Sequence, residues 1–243
     1  MIRVTIYNEF YHERDMREKY IKVRELYPNG MHTAIADGLC EFAEQDFSIR
    51  YFHYDNVEEI TKEVLDETDV LIWWGHVKHE VVPDTVASLV KDAVNSGMGA
   101  IFLHSAHHSK PFKTLMGTPC SLTWRDDGDS ELVWTIDPSH PIAKGIGRFI
   151  KLDNEESYGE PFSVPNPDSV VFIGSYEGGE VFRAGLCYQR GYGKIFYFQP
   201  GHESYPTYYN QDVKRVIFNA VCWANPVYRK EIDCPHVKKP LEE

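Results

Sequence analysis

Three histidines each follow an apolar segment of the chain that is typical of a buried strand. His76 comes after D-V-L-I-W-W-G, His104 comes directly after A-I-F-L, and His202 follows K-I-F-Y-F-Q-P-G. The carboxyl ends of parallel strands meet at one edge of an α/β sheet, and that edge is where such folds bind ligands. We therefore expect the three imidazoles to converge on one site.

Carboxylates that could join these imidazoles cluster in N-E-E-S-Y-G-E, a polar stretch that the sequence predicts to be a loop. Glu155, Glu156 and Glu160 lie in this stretch. Histidine plus carboxylate, without cysteine, is a ligand set suited to Zn²⁺, Mn²⁺ or Fe²⁺. H-E-x-x-H spacing is absent. Catalysis by clustered histidines without a metal is therefore an equal alternative at this point.

The sequence lacks the motifs of nucleophilic catalysis, nucleotide binding and disulfide frameworks. His104 stands where the nucleophile of a strand-to-helix elbow would stand, with Ser105 beside it, but G-x-S-x-G is missing. Neither G-x-G-x-x-G nor the phosphate-binding loop pattern follows a predicted strand, so we expect no nucleotide cofactor. The five cysteines are far apart and odd in number, which favours reduced thiols in the cytosol over a disulfide framework.

The charge and the length of the chain limit its partners and its architecture. A formal net charge of −12, without a basic stripe, argues against nucleic-acid and anionic-membrane partners. No apolar run is long enough to span a bilayer, and the chain opens on a strand pattern rather than an apolar leader. With 243 residues the chain can form one large domain. We predict a cytoplasmic protein with a single domain at residues 1–225 and a polar tail at 226–243.

The elements that must position the histidines alternate between strand and helix in the first half of the chain. This alternation predicts an α/β fold with a doubly wound, mostly parallel sheet and right-handed crossovers. The predicted strands are Ile2–Tyr7, Ser48–Tyr54, Asp69–Trp74 and Ala100–Leu103, and the clearest helices are Met31–Gln45, Val57–Glu67 and Val82–Ser96.

The pattern changes after Gly117. Thr118–Gly128 is predicted to be rich in turns, and one strand follows it. Three further strands then come in quick succession, joined by G-G and G-Y-G turns. Such short connections predict an antiparallel or mixed extension of the sheet. These strands are Glu131–Ile136, Val170–Ile173, Val181–Cys187 and Lys194–Phe198, and a closing helix at Gln211–Trp223 follows them.

Several segments, taken in order, resemble the ThuA (trehalose utilisation) family. They include N-E-F-Y-H-E-R, W-W-G-H-V-K-H, L-H-S-A-H-H-S-K-P-F, E-E-S-Y-G-E-P-F and Y-F-Q-P-G-H-E-S-Y-P-T, and they cover residues 1 to 225. The resemblance implies a flavodoxin-like sheet related to class I glutamine amidotransferases, which use a Cys–His–Glu triad. Here His104 stands at the cysteine position and His202–Glu203 lacks the spacer residue of the family's H-x-E, so amidotransferase chemistry is not expected.

The resemblance also implies a sugar substrate, with a 3-keto-disaccharide or a related 3-keto-glycoside as the form that allows a chemical route. A ketone acidifies the neighbouring C–H, so a base can remove that proton while a metal such as zinc or manganese stabilises the negative charge. Isomerisation or elimination would follow. The alternative is a non-catalytic sugar-binding or regulatory module, and a homo-oligomer also stays open.

On this hypothesis each candidate residue has a role. The metal ligands are His76, His104, Glu156 and His202. The candidates for base, acid or substrate contact are His79, His107, Glu155 and Tyr158, and the substrate-binding candidates are Arg125, Arg183 and Tyr205.

Overall fold

A computed structural model describes residues 1–240 of the chain, and within them nine strands form one sheet in the order β2-β1-β3-β4-β9-β8-β7-β5-β6. The first five strands in this order are parallel, and the remaining ones pair antiparallel. The α/β class, the parallel half and the mixed extension predicted from the sequence are confirmed. Of the predicted tail, residues 241–243 lie outside the described residues.

Most strands of the parallel half are apolar and buried, as expected where helices cover both faces of a sheet, whereas the edge strand β2 is mostly half-buried or exposed. The central strand β4 is fully buried, as is its neighbour β3, and both end at the edge that carries the histidines. The strands of this half are β1 (Ile2–Asn8), β2 (Phe47–Phe52), β3 (Val70–Trp74), β4 (Gly99–Leu103) and β9 (Gly193–Phe198).

The helices follow the predicted positions but are shorter, because several of their predicted first or last turns form 3-10 turns or bends instead. They are α1 (Ile21–Leu26), α2 (Met31–Cys40), α3 (Lys62–Asp66), α4 (Asp84–Asn95), α5 (Lys110–Met116) and α6 (Gln211–Ala224). The helix α5 is capped by the Ser109 side chain at its start and ends at Gly117, which has a φ of 69°. Among the described residues, none of the helices has the length and apolar character needed to span a membrane.

The antiparallel half corrects two predictions. Strand β5 runs over Thr123–Thr135, so most of the stretch predicted to be turns is strand, with an irregular register around Asp129. Strand β6 runs over Phe149–Gly159 and contains most of the polar stretch predicted to be a loop. Its last five residues are buried, although β6 is the last strand of the sheet. The other two strands are β7 (Ser169–Tyr176) and β8 (Val181–Arg190).

The far edge of the sheet curls back over its centre. Strand β6 is last in the sheet order, yet its Glu156 carboxylate lies 2.9 Å from the imidazole of His104, which directly follows the central strand. The strand ends of the parallel half and the inner end of β6 therefore enclose a common volume. This curl is what allows a carboxylate to reach the three strand-end histidines.

Candidate metal centre

His104 occupies a backbone conformation that few residues other than glycine adopt. Its φ is 52°, at the turn between β4 and the following 3-10 turn, and its side chain is fully buried. Its Nδ1 donates to the backbone oxygen of Gln199 at 2.8 Å, and its Nε2 lies 2.9 Å from Oε2 of Glu156. Burial alone would lower the pKa of this imidazole, but the hydrogen bond with Glu156 and its charge raise it above its ordinary value.

His76 is held by a buried carboxylate. Its Nδ1 lies 3.0 Å and 3.1 Å from the two carboxylate oxygens of Glu203, which is 4% exposed. Burial works against protonation of His76, but the hydrogen bond to Glu203 and the neighbouring carboxylates raise its pKa to about 9. Burial would likewise raise the pKa of Glu203, yet the same hydrogen bond holds it below its ordinary value. The carboxylates of Glu203 and Glu156 thus favour the charged forms of the His76 and His104 imidazoles.

A second carboxylate fixes the loop on which His76 stands. Glu9 follows strand β1 and is 1% exposed. Its carboxylate accepts the backbone N–H groups of His76, Val77 and Lys78 at 2.7–3.1 Å. Three consecutive amides that donate to one carboxylate fix the path of the backbone, and with it the starting point of the His76 side chain.

The loop that carries His202 has an equivalent support. Glu155 is fully buried and accepts the backbone N–H groups of Gly201 and His202 at 3.1 Å and 3.0 Å, and the Thr207 hydroxyl at 2.7 Å. Its carboxylate is therefore engaged by two backbone amides and a hydroxyl group, and its role as catalytic base or acid stays a prediction from the sequence. Because side chains alternate along a strand, Glu155 lies on the opposite side of β6 from Glu156.

Three side chains offer ligand atoms that all lie within 4.8 Å of one another: His76, Glu156 and His202. They are three of the four predicted metal ligands, and they arrive from the loop after β3, from β6 and from the loop after β9. The fourth, His104, is not part of this group and contacts it through Glu156. Two imidazoles and one carboxylate form a ligand set used for zinc and for other divalent metals.

A second group with the same spacing is formed by His12, His76 and Glu203. His12 is 1% exposed, its Nε2 lies 3.5 Å from Glu203, and its Nδ1 has no hydrogen-bond partner. Burial lowers the pKa of His12 to about 4, so this imidazole is neutral near pH 7. Because Glu203 already binds Nδ1 of His76, we interpret this group as the support of His76 rather than as a separate centre.

The triad of His76, Glu156 and His202 borders a cleft of about 320 Å³. Of the three residues, His76 and Glu156 line this cleft. That volume falls at the small end of the range for ligand sites. Four histidines and two aromatic rings contribute to the lining, which includes His76, His79, His107, His108, Trp124, Glu156 and Tyr158. A larger groove of about 620 Å³ lies between α3, α4 and residues 229–232, and none of these histidines lines it.

Three of the predicted catalytic residues do line the cleft: His79, His107 and Tyr158. His107 donates from Nδ1 to the backbone oxygen of Cys120 at 2.7 Å, which leaves Nε2 as the proton-accepting nitrogen of the neutral ring. Burial lowers the pKa of both His79 and His107 to about 3. The Tyr158 hydroxyl lies 3.3 Å from Nε2 of His104, and its ring stacks on that imidazole.

The predicted substrate-binding residues have other partners. Arg125 forms ion pairs with Asp127, Asp129 and Glu180 on the sheet surface, and none of these residues lines the cleft. Arg183 forms a two-pronged ion pair with Glu160 at 2.7 Å and 3.0 Å.

Tyr205 donates its hydroxyl to Asp126 at 2.8 Å, and its ring packs near His202, with the ring centres 5.4 Å apart. Of the three predicted substrate-binding residues, the structure thus places Tyr205 beside a member of the triad, and it does not bring Arg125 or Arg183 there.

Sequence reasoning gave no role to three residues that support the site: Glu9, His12 and Glu203. A signal for two of them was present, because Glu9 directly follows the first strand and Glu203 directly follows His202. His12 lies in an irregular segment, where no pattern indicates that it folds inward.

Comparisons with solved structures place this architecture among known folds. A ThuA-like protein from Bacteroides uniformis superposes with a TM-score of 0.64 at 16% identity, over 92% of this chain and 91% of that one. A cytoplasmic protein from Salmonella typhimurium LT2 gives 0.61 at 12% identity, over 93% and 100%. A glutamine amidotransferase from Thermotoga maritima gives 0.52 at 11% identity, over 91% and 96%. At these identities the likeness is one of fold.

No curated protein matches the chain in a sequence search. The family profile described as trehalose utilisation, in contrast, matches residues 3–224, nearly the whole chain. The resemblance inferred from the motifs is thereby confirmed, and the chain belongs to the ThuA family.

Proposed function

We propose that this protein is a metal-dependent enzyme that removes a proton from a 3-keto-glycoside, with isomerisation or elimination as the outcome. The observation that carries the proposal is the convergence of His76, Glu156 and His202 beside a cleft of about 320 Å³. The family description, trehalose utilisation, supports a sugar as the substrate. The Salmonella relative is called a cytoplasmic protein, which favours the same compartment here.

The residues around the triad fit a divalent ion such as zinc or manganese. Histidine ligands usually donate their second nitrogen to a carboxylate or a carbonyl, which fixes the ring and raises its basicity. Nδ1 of His76 faces Glu203 in this way. Glu156 in turn is contacted by His104. When bound, the ion would supply a positive charge that stabilises the negative charge developing next to a ketone.

The side chains of the cleft can move the proton. A ketone acidifies the C–H bond on the adjacent carbon, and a neutral imidazole can accept that proton. We assign this role to Nε2 of His107, because Nδ1 is already engaged with Cys120. Tyr158, beside His104, is positioned to donate to a substrate oxygen.

The released electron pair then has two routes. In isomerisation the C–H proton is returned to the former carbonyl carbon, and the neighbouring hydroxyl group gives its proton to the former carbonyl oxygen, so the carbonyl and hydroxyl groups exchange positions. In elimination the pair forms a carbon–carbon double bond and expels the glycosidic oxygen, which takes up a proton and leaves as an alcohol.

The test combines metal content with turnover. We expect the purified protein to bind one divalent ion per chain, measured by elemental analysis, and to convert 3-keto-trehalose, with chelation abolishing turnover. His202→Ala should lose the ion and turnover together while its melting temperature stays close to that of the wild type.

His236→Ala is the matched control, because His236 is exposed in the tail and should leave both properties unchanged. A His202→Ala variant with full metal content would overturn the metal assignment. A metal-loaded wild type that binds the sugar without converting it would instead support a non-catalytic sugar-binding module.

A further inference from the structure

Trp124 differs from the other tryptophans of the chain. Its side chain is 67% exposed, whereas Trp73 and Trp74 are buried in β3. Each of the other four tryptophans packs against an aromatic or imidazole ring. Within residues 1–240, Trp124 has no such ring partner and lines the cleft. Single exposed apolar side chains are common on protein surfaces, so what distinguishes Trp124 is its place at the cleft, where a bound ligand could cover its ring.

The position of Trp124 is fixed by the residues that follow it. Arg125 forms ion pairs with Asp129 and with Glu180, which lies just before β8. Asp126 accepts the hydroxyl of Tyr205, in the loop that carries His202, at 2.8 Å. The indole therefore projects from a strand that is tied on two sides, rather than from a free loop. A backbone held in this way loses little conformational freedom when a ligand covers the side chain that it carries.

The register of the sheet relates Trp124 to the chemistry. Trp124 on β5 is paired with Tyr158 on β6, so the two side chains lie on the same face of the sheet. Tyr158 is 2% exposed and contacts His104, whereas Trp124 is open to solvent. Trp124 thus lies one side chain further out along the same wall of the cleft.

We propose that Trp124 forms a second sugar subsite, in which its indole stacks on the ring of a two-ring glycoside that is not being transformed. This inference rests on the proposed function and deepens it. The cleft at the triad, with its polar histidines and about 320 Å³, suits one sugar ring. The next ring would extend past the cleft mouth, where the flat apolar indole matches the C–H face of a pyranose.

The test is equilibrium binding, measured by calorimetry on protein stripped of metal so that no turnover occurs. The probes are 3-keto-trehalose, which has two rings, and methyl 3-keto-α-glucoside, which has one. We expect the wild type to bind the two-ring probe roughly tenfold more tightly. Trp124→Ala should bind both probes equally, with affinity for the one-ring probe unchanged. Trp124→Phe should keep most of the preference, because a phenyl ring still offers a stacking face.

Two results would overturn the subsite: a wild type without preference for the two-ring probe, or a preference that survives in Trp124→Ala. Neither result depends on metal content or on turnover. Loss of the preference in Trp124→Ala together with an inactive wild type would refute the proposed reaction and leave the subsite standing. Because Trp124 is exposed, the alanine variant should melt within a few degrees of the wild type, which serves as the folding control.

Discussion

Replacing Glu131 with glutamine should remove a pH dependence from the stability of the fold. Glu131 is fully buried on β5, and neither of its carboxylate oxygens has a hydrogen-bond partner. The carboxylate lies against Gly174 on the neighbouring strand β7, where an added Cβ would clash with Oε1. Burial, and then the charge of Glu155, raise the pKa of Glu131 well above its ordinary value of 4.5.

The size of the effect follows from the protons that each state binds. Below pH 4.5 the carboxyl is protonated in both the folded and the unfolded chain, so it causes no pH dependence there. Above that pH the unfolded chain loses the proton while the folded chain keeps it, so stability falls as the pH rises towards the folded pKa. The loss is about 1.4 kcal/mol per pH unit, or at most about 2.7 kcal/mol between pH 5.5 and 7.5.

The assay is urea denaturation of the wild type and of Glu131→Gln at several pH values between 4.5 and 8. Glutamine is nearly the same size and stays neutral, so the stability of the variant relative to the wild type should increase with pH. Glu58→Gln, at an exposed position, is the control and should track the wild type. Parallel curves for Glu131→Gln and the wild type would refute the reasoning, because they would mean that Glu131 ionises alike in both states.

Two further predictions concern buried and surface ion contacts. Glu155→Gln should weaken zinc affinity at least tenfold and lower the free energy of unfolding by about 1.5–3 kcal/mol, because an amide nitrogen would face backbone and hydroxyl donors. Zinc titration and denaturation would measure this, and unchanged affinity would contradict the positioning of His202 by Glu155. Arg183→Ala should leave the KM for the sugar unchanged and cost at most about 1 kcal/mol of stability, because its partner is the partly exposed Glu160. A tenfold rise in KM would restore Arg183 as a substrate contact.

The inner strands of the parallel half could be predicted from the sequence because they are buried on both faces. The predicted strand Asp69–Trp74 differs by one residue from β3, and Ala100–Leu103 differs by one residue from β4. Such strands consist of a continuous run of apolar residues, and this run can be recognised without knowledge of distant residues. The positions of His76 and His104 at strand ends follow from the same local pattern.

Strand β6 could not be predicted because the groups that allow its polar side chains to be buried lie elsewhere in the chain. The run N-E-E-S-Y-G-E is polar by composition, and its carboxylates are accommodated inside the protein by donors from other segments. Glu155 is satisfied by backbone amides near residue 201, and Glu156 by His104. No local pattern indicates such partners, so the sequence predicted a loop where the structure has a partly buried strand.

The place of β9 in the sheet has a consequence for how the chain is made. It lies between β4 and β8, although 89 residues, 104 to 192, separate the end of β4 from its start. At translation rates of 5–20 residues per second, the ribosome needs roughly 4 to 18 s to add that segment. During this interval the strand that is central in the finished protein is an open sheet edge, a state in which pairing with other chains is a hazard. Slow synthesis of residues 104 to 192 should therefore increase aggregation of the nascent protein.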